Sequence, residues 1–282
     1  MSVDIQPLSD VLGAEVTGLD TTTTPSREVV DELRSAFLEF HLLCLRSDPL
    51  SPEAFVAVAS HFGTPKPHVL RRRRHETVPE VAKMESTYKR PEDKPADLLM
   101  DRRSGWHTDD SYLETPACVT LLQGIEVPDS GGQTRFSNTR KAFEDLSDSD
   151  KARIDGLIAV HAYDTMRAPA RAVARTAEEK ADTPEVEHPL VRTHEESGKK
   201  AIFFNPNRTD RVVGMSREES DTLLDWVNEV VTRPEYVYEH EWEAGDILIW
   251  DNRCTLHSVN MDFPVGQTRL HQRILLQGGR PV

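Results

Sequence analysis

The sequence predicts a mainly β fold, either a sandwich or a barrel, with a few helices packed outside it. Two observations predict it: short strand-like segments gather in the second half of the chain, and helical periodicity is confined to a few segments. The chain has 282 residues, of which 37% are hydrophobic, enough to bury a substantial core. Length alone allows one large domain or two smaller ones.

The N-terminal part is predicted to be an α/β region. Ser26 opens a pattern of apolar residues at helical spacing, and the apolar run 41–45 that follows is typical of a buried strand. Ser51 and Pro52 are strong start signals for a second helix, which Gly63 ends. We expect these elements to pack against the later strands.

Two charged, irregular stretches are predicted to be lid or insertion loops. Residues 64–104 are rich in Pro, Arg, Lys, Glu and Asp, and residues 165–187 have a similar composition, with little periodicity in either. Loops of this length within a compact domain are often lids or binding loops. We therefore expect insertions here and not linkers between independent domains.

The remaining elements are mostly strands. The segments predicted as strands are 117–125, 201–205, 236–242, 246–250 and 268–277. One more helix is expected from Ser216 to Val231, because Pro234 follows and stops it.

Charge and cysteine content argue against several classes of protein. The formal net charge of −14 argues against a general binder of nucleic-acid polymers, although the basic run Arg71–Arg74 leaves a local anion-attracting patch open. The three cysteines, Cys44, Cys118 and Cys254, have no framework spacing and fit a reducing compartment. No signal-peptide pattern and no stretch of about 20 apolar residues is present. We expect a cytoplasmic protein without a membrane partner.

The sharpest chemical signal is a Trp-His-Thr-Asp segment, with another histidine far downstream. Residues two apart in an extended strand point the same way, so His107 and Asp109 can face one interior point. We expect His257, on or just after the strand 246–250, to supply a third ligand. Two imidazoles and a carboxylate form the facial triad of non-haem Fe(II) oxygenases, which leaves positions open on the metal. Zn²⁺ accepts the same ligands, so these residues alone do not decide the metal.

Arginines on the last strand indicate an anion-binding cavity. Period-two geometry places Arg269, His271 and Arg273 on one face of the segment 268–277, and the flanking apolar residues favour a central strand over an exposed edge. A guanidinium can bind a carboxylate through a bidentate pair of hydrogen bonds. Upstream, a Ser-Gly-Gly-Gln-Thr segment is typical of a tight turn, after which Thr134 offers a hydroxyl group.

Taken together, these motifs resemble the TauD/TfdA family of Fe(II)/2-oxoglutarate-dependent dioxygenases. The matching stretches are Gly105–Asp109, Ser130–Thr134, Pro189–His194, Gly245–His257 and Arg269–Arg273. Their order and separations agree across nearly the whole chain, which is more specific than any single motif. The resemblance implies a double-stranded β-helix, a cupin-like jelly roll with flanking helices, as a single domain over residues 1–282.

The resemblance also implies roles for individual residues. His107, Asp109 and His257 match the iron ligands of the family, which makes them the catalytic residues. Thr134 and Arg269 match the pair that holds the distal carboxylate of 2-oxoglutarate.

Three further residues are candidates for substrate binding. Arg273 matches a position that meets the anionic end of the substrate in taurine dioxygenases. His68 lies in the loop where sulfonate-binding members place a substrate-contacting histidine, and Arg103 lies just before the predicted metal ligands.

The implied function is hydroxylation of an unactivated C–H bond in a small anionic molecule. Fe(II) is the expected cofactor, 2-oxoglutarate and O₂ are the cosubstrates, and succinate and CO₂ are the coproducts. The substrate classes are sulfonates, sulfate esters, phosphonates or phosphates, and carboxylates, and homo-oligomers are common in the family. Two alternatives stay open: a non-catalytic jelly-roll metal-binding module, and a Zn-dependent hydrolase that uses the same three ligands.

Overall fold

The computed structural model describes residues 3–68, 71–93, 105–168 and 176–282. The strands in chain order are β1 (Asp4–Pro7), β2 (Ala14–Thr17), β3 (Leu42–Leu45), β4 (Pro65–Lys66), β5 (Ala82–Thr87), β6 (Ala117–Glu126), β7 (Thr134–Asn138), β8 (Ile158–His161), β9 (Val186–Pro189), β10 (Val191–Thr193), β11 (Lys200–Ile202), β12 (Thr209–Val212), β13 (Val237–His240), β14 (Ile247–Asp251), β15 (Thr255–Val259) and β16 (Thr268–Gln277). The helices are α1 (Arg27–Phe40), α2 (Pro52–Ser60), α3 (Thr139–Glu144), α4 (Asp148–Ile154), α5 (Ala177–Ala181) and α6 (Arg217–Val231). Within these ranges, no helix has the length and apolar character that crossing a membrane requires.

One large sheet organises the described part of the chain. It has eight strands in the order β1-β2-β3-β14-β6-β16-β4, and β5 also pairs with β16. The strands β2 and β3 pair in parallel, whereas β14, β6 and β16 form antiparallel pairs at the centre. Two three-stranded sheets, β13-β7-β15 and β12-β8-β9, and the pair β10-β11 complete the architecture.

Both faces of the large sheet are covered by other elements. Successive residues of each strand point to opposite faces, so neighbouring residues of one strand show what covers each face. Leu43 and Leu45 of β3 belong to an apolar cluster with residues of α1 and α2. Their neighbours Leu42 and Cys44 belong to a different cluster, which includes Phe136 of β7. The helices therefore cover one face, and the sheet β13-β7-β15 covers the other to form a sandwich.

The three helices that the sequence predicts are confirmed, and local capping explains their starts. The side chains of Ser26 and Ser51 accept hydrogen bonds from backbone N–H groups at the beginnings of α1 and α2, and Pro52 occupies the first turn of α2. A capping box between Ser216 and Glu219 begins α6.

The stretch 64–104, predicted as loop, contains two strands in its described part. Both β4 and β5 pair with β16. In β5 the side chain of Ala82 is buried, whereas Lys83 and Glu85 are exposed. Charged residues are common on the solvent-exposed face of an edge strand. They make the alternation of apolar and polar residues in β5 hard to recognise in the sequence. Residues 94–104 lie outside the described part of the chain.

The second predicted loop, residues 165–187, also contains regular structure. The helix α5 and the first residues of β9 lie within it. Residues 169–175 lie outside the described ranges, so the lid interpretation of both stretches stays a prediction.

Candidate metal centre and cosubstrate site

Three predicted metal ligands meet at one point between the two layers of the sandwich. The ligand atoms of His107, Asp109 and His257 all lie within 4.8 Å of one another. Nε2 of His257 is 3.8 Å from Oδ2 of Asp109, and the two imidazole ring centroids are 4.0 Å apart. These three side chains can hold one metal ion.

The backbone that carries these residues differs from the prediction. His107 forms only an isolated bridge with His257, through hydrogen bonds of 2.9 and 2.8 Å, and Asp109 lies in the turn that follows. His257 lies on β15, in the three-stranded sheet β13-β7-β15, and not at the end of β14. The chain changes sheets in a turn, in which the carboxylate of Asp251 accepts a hydrogen bond of 2.9 Å from the backbone N–H of Arg253.

The protonation of both histidines suits metal binding. Nδ1 of His107 lies 3.0 Å from the carbonyl oxygen of Gly105, and since a carbonyl only accepts, this nitrogen carries the proton. Nε2 of His107 is therefore the ring nitrogen left to bind a metal ion, as in metal-ligating histidines whose other nitrogen donates to a carbonyl. Burial lowers the pKa of His257 well below its usual value, which keeps that imidazole neutral. Two imidazoles and a carboxylate fit Fe(II).

Asp109 is held in its ionised form. Burial by itself raises the pKa of this carboxyl, but the positive charge of Arg273 and a hydrogen bond from Thr120 help to bring the pKa well below its usual range. Nη1 of Arg273 lies 3.2 Å from Oδ1, and Oγ1 of Thr120 lies 2.7 Å from Oδ2.

Arg269 is a buried cation without a carboxylate partner among the described residues. Its Nε donates to the carbonyl oxygen of Gly132 at 2.9 Å, and its Nη2 donates to Oγ1 of Thr134 at 3.1 Å. Both acceptors are neutral, and burial lowers the pKa of Arg269 to about 10. Burying a charge without a counter-charge is costly, so this pocket is suited to an anion.

Thr134 receives a second hydrogen bond, from an indole that the sequence did not point to. Nε1 of Trp242 donates to Oγ1 of Thr134 at 3.0 Å. Because Arg269 also donates to this oxygen, the hydroxyl proton of Thr134 is left to donate elsewhere. The predicted tight turn before Thr134 is confirmed, since Gly131 and Gly132 both have positive φ, 72° and 71°.

The structure brings two of the three predicted substrate residues together. Nη2 of Arg273 lies 2.6 Å from Nε2 of His68. Arginine only donates, so His68 accepts at this nitrogen, and burial lowers the pKa of His68 to about 4. Arg269 and Arg273 thus have different partners. Arg103 lies outside the described residues.

Two residues that the sequence reasoning missed support Asp109. Thr120 donates to its carboxylate, and Asn252 contacts Thr120 and the backbone of Asp109. One signal was available for Thr120, which is a hydroxyl residue inside the otherwise apolar run 117–122. Asn252 stands within the matching stretch Gly245–His257, but its side chain has no recognisable chemical role without the fold.

A cavity of about 640 Å³ opens beside Arg269. Among the residues that line it, Arg73, Arg74 and Lys83 are basic, and Val259 follows His257 on β15. Arg73 and Arg74, two residues of the basic run at 71–74, therefore line the same cavity as Arg269.

Two other clusters of histidine, cysteine and aspartate have the spacing of metal ligands. In one, both Asp251 oxygens accept hydrogen bonds from Arg253, at 2.8 and 2.7 Å. In the other, both Asp246 oxygens accept from Nη1 of Arg46, at 2.7 and 2.8 Å. A guanidinium already neutralises each carboxylate, so these clusters are structural ion pairs.

Comparison with known proteins identifies the family. The family described as "Taurine catabolism dioxygenase TauD, TfdA family" matches residues 4–275. An alkylsulfatase of Acinetobacter baylyi is 31% identical over 98% of this chain and 85% of its own. An (S)-phenoxypropionate/alpha-ketoglutarate-dioxygenase of Sphingobium herbicidovorans is 29% identical over 96% and 94% of the two chains.

A solved structure agrees with these sequence matches. The crystal structure of a taurine dioxygenase from Burkholderia xenovorans superposes with a TM-score of 0.85 at 31% identity, over 100% of this chain and 91% of that one. The predicted jelly-roll fold is thereby confirmed. The chain belongs to the TauD/TfdA family of Fe(II)- and 2-oxoglutarate-dependent dioxygenases and is an oxidoreductase.

Proposed function

We propose that this protein hydroxylates an unactivated C–H bond of a small anionic substrate, with conversion of 2-oxoglutarate to succinate and CO₂. The observation that carries the proposal is one arrangement: three ligand atoms within 4.8 Å of one another, in a sandwich that also buries Arg269, a cation with no carboxylate partner in the described part of the chain. Three such ligands alone occur in many classes of metalloprotein. Together with a buried arginine that can bind an anion, they suit a metal enzyme with a carboxylate cosubstrate.

His107, Asp109 and His257 would hold Fe(II), which supplies the redox chemistry that couples O₂ reduction to oxidation of the cosubstrate and substrate. The protein's own contribution is to keep His257 neutral by burial and the Asp109 carboxylate ionised by the charge of Arg273. It also holds Nδ1 of His107 against the carbonyl oxygen of Gly105, which leaves Nε2 for the metal.

Arg269 and Thr134 would hold the distal carboxylate of 2-oxoglutarate. The guanidinium is a charged donor, and the hydroxyl proton of Thr134 is available because Arg269 and Trp242 occupy its oxygen as an acceptor. Charge-assisted hydrogen bonds in a buried pocket are strong, and they fix the cosubstrate relative to the three metal ligands.

Arg273 and His68 would contact the anionic group of the substrate, and Arg103 is a third candidate. Arg273 lies between His68 and Asp109, within hydrogen-bonding distance of both. A substrate anion placed here would present a neighbouring carbon to the metal. We infer a sulfate ester, sulfonate, phosphonate, phosphate or carboxylate, because each offers oxygens that a guanidinium can bind.

We further infer that the two charged stretches, 64–104 and 165–187, border the mouth of the site within one domain. The first is supported by Arg73, Arg74 and Lys83, which line the same cavity as Arg269. The cytoplasm is the proposed location, because all three cysteines are free.

Substrate-dependent succinate release tests this function. The purified protein with Fe(II), ascorbate and 2-oxoglutarate is screened against alkyl sulfates, sulfonates, phosphonates and aryloxy carboxylates. We expect at least one class to stimulate succinate formation with equivalent loss of substrate. Hydrolysis of a substrate without 2-oxoglutarate or O₂ would favour the zinc hydrolase, and metal binding without any turnover would favour the non-catalytic module.

A further inference from the structure

The carboxylate of Asp109 is held by a buried chain of hydrogen bonds that begins at Trp250, far from Asp109 in the sequence. Oδ2 of Asp109 accepts from Oγ1 of Thr120 at 2.7 Å, and Oγ1 of Thr120 lies 2.8 Å from Nδ2 of Asn252. The side-chain oxygen of Asn252 lies 3.1 Å from Nε1 of Trp250. All four residues are at most 6% exposed.

The direction of every bond in this chain follows from chemistry. The indole N–H of Trp250 only donates, so the atom of Asn252 that faces it must be the carbonyl oxygen. The backbone N–H of Asp109 points to the same oxygen at 3.4 Å. The amide nitrogen of Asn252 is thereby turned toward Thr120, to which it can only donate.

The orientation of the Thr120 hydroxyl is then determined. Its oxygen accepts from Asn252, and its single proton goes to the carboxylate of Asp109, which only accepts. The second carboxylate oxygen, Oδ1, faces Nη1 of Arg273 at 3.2 Å. Each oxygen of Asp109 therefore has a directed donor, and rotation of the carboxylate about its Cβ–Cγ bond is restrained from both sides.

We propose that Thr120 and Asn252 are positioning residues that preset the Asp109 carboxylate for metal binding. This inference rests on the proposed role of Asp109 as a metal ligand. We call this chain of hydrogen bonds, from Trp250 through Asn252 and Thr120 to Asp109, the relay. It directs the remaining lone pairs of the carboxylate toward the space between His107 and His257. Because the carboxylate is already ordered, metal binding does not have to include the entropic cost of ordering it.

Asn252 has a second task, which makes Thr120 the better residue to test. The side-chain oxygen of Asn252 also accepts from the backbone N–H of Asp109 at 3.4 Å and from Oγ1 of Thr108 at 3.5 Å, so replacing Asn252 disturbs the turn that contains Asp109. Thr120 lies on β6, at the centre of the large sheet, and its hydroxyl bonds only to Asp109 and Asn252 among the described residues. Valine has the same shape as threonine without the hydroxyl.

The test compares Mn(II) affinity, which requires no turnover, among variants at this position. We expect Thr120→Val to weaken Mn(II) binding about 10- to 100-fold and Thr120→Ser, which keeps the hydroxyl, to stay within about 3-fold of the parent, because only the hydroxyl reaches Asp109. Thr139→Val is the matched control, since Thr139 is buried and its hydroxyl has no hydrogen-bond partner among the residues that the structure describes. If Thr120→Val does not fold, Thr120→Ala removes the same hydroxyl.

The outcomes separate this inference from the proposed function. Equal Mn(II) affinity in the parent and in Thr120→Val overturns the relay, as does equal weakening by Thr120→Ser and Thr120→Val, which would indicate packing alone. If the parent itself binds Mn(II) no better than His257→Ala, the proposed metal site fails, and the relay fails with it. Near-parent affinity in Thr120→Ser with a clear loss in Thr120→Val supports the relay.

Discussion

Arg269 and Arg273 lie four residues apart on β16 and form hydrogen bonds with different residues. Arg269 donates hydrogen bonds to the neutral groups of Gly132 and Thr134, whereas Arg273 contacts Asp109 and His68. The guanidinium of Arg269 is therefore the one that lacks a counter-ion among the described residues.

This difference predicts separate effects of two substitutions. Arg269→Ala should weaken 2-oxoglutarate binding by about 2–5 kcal/mol, because the carboxylate of the bound cosubstrate loses its charged partner. Arg273→Ala should leave that affinity nearly unchanged and raise the apparent KM for an anionic substrate. Titration of 2-oxoglutarate into both Mn(II)-loaded variants measures the difference. Equal losses of cosubstrate affinity would refute the proposed division of roles.

At the scale of residues, the sequence indicated which residues form the candidate site. It did not indicate which other residues hold them in place by hydrogen bonds. His107, Asp109 and His257 could be singled out as a His-x-Asp pair with a distant histidine, and the roles of Thr134 and Arg269 follow from the resemblance to the TauD/TfdA family. The residues behind them could not, since a hydrogen bond between residues 132 positions apart, such as that from Asn252 to Thr120, depends on strand register.

At the scale of elements, the turn between β14 and β15 moves the chain from the large sheet to the small one. Asp251 is fully buried in this turn, and its carboxylate accepts hydrogen bonds from Arg253 and lies 2.8 Å from Nε2 of His194. The position of His257 depends on this turn, because β15 begins directly after it.

Removal of the guanidinium should therefore destabilise the fold. Arg253→Leu leaves a buried carboxylate without its main partner, and breaking such a pair costs about 3–5 kcal/mol. Arg90→Leu is a suitable control, since Arg90 pairs with Asp93 at the exposed surface and should change stability by about 0.5 kcal/mol or less. Urea unfolding of both variants measures the effect; similar losses would show that the buried pair has no special importance.

The prediction of helices and strands was correct where capping residues and apolar periodicity lie within the element itself. It was wrong where the element depends on pairing with another strand. The helices α1, α2 and α6 have capping serines and apolar faces, and β6, β14 and β16 are long or continuously apolar. The strand β5 was missed because its outward residues are charged, and β15 because it lies only a short turn beyond β14.

Across the whole molecule, several histidines are buried in the neutral form. Burial lowers the pKa of His41 and of His188 to about 4, and neither lies in the proposed metal site. The unfolded chain protonates histidine near pH 6.5. Between about pH 6.5 and 4 the unfolded state therefore binds more protons, and the free energy of unfolding falls as the pH falls through this window.

This predicts an acid-sensitive fold even without metal. Urea unfolding with a chelator present should give a lower free energy of unfolding at pH 5 than at pH 7.5. His188→Gln should reduce this dependence on pH, because the variant no longer has a histidine whose pKa is lowered by burial. A stability that stays constant from pH 7.5 to 5 in the parent protein would contradict this assignment.

Anaerobic titration with Fe(II) and 2-oxoglutarate tests the central claim most directly, namely that His107, Asp109 and His257 form an iron site that accepts 2-oxoglutarate. The parent protein should develop a weak visible charge-transfer band that requires both additions and saturates at one equivalent of iron. His107→Ala and His257→Ala should abolish the band, and Arg269→Ala should shift its appearance to higher 2-oxoglutarate concentrations. A band of full intensity in His257→Ala, or none in the folded parent protein, would contradict the account.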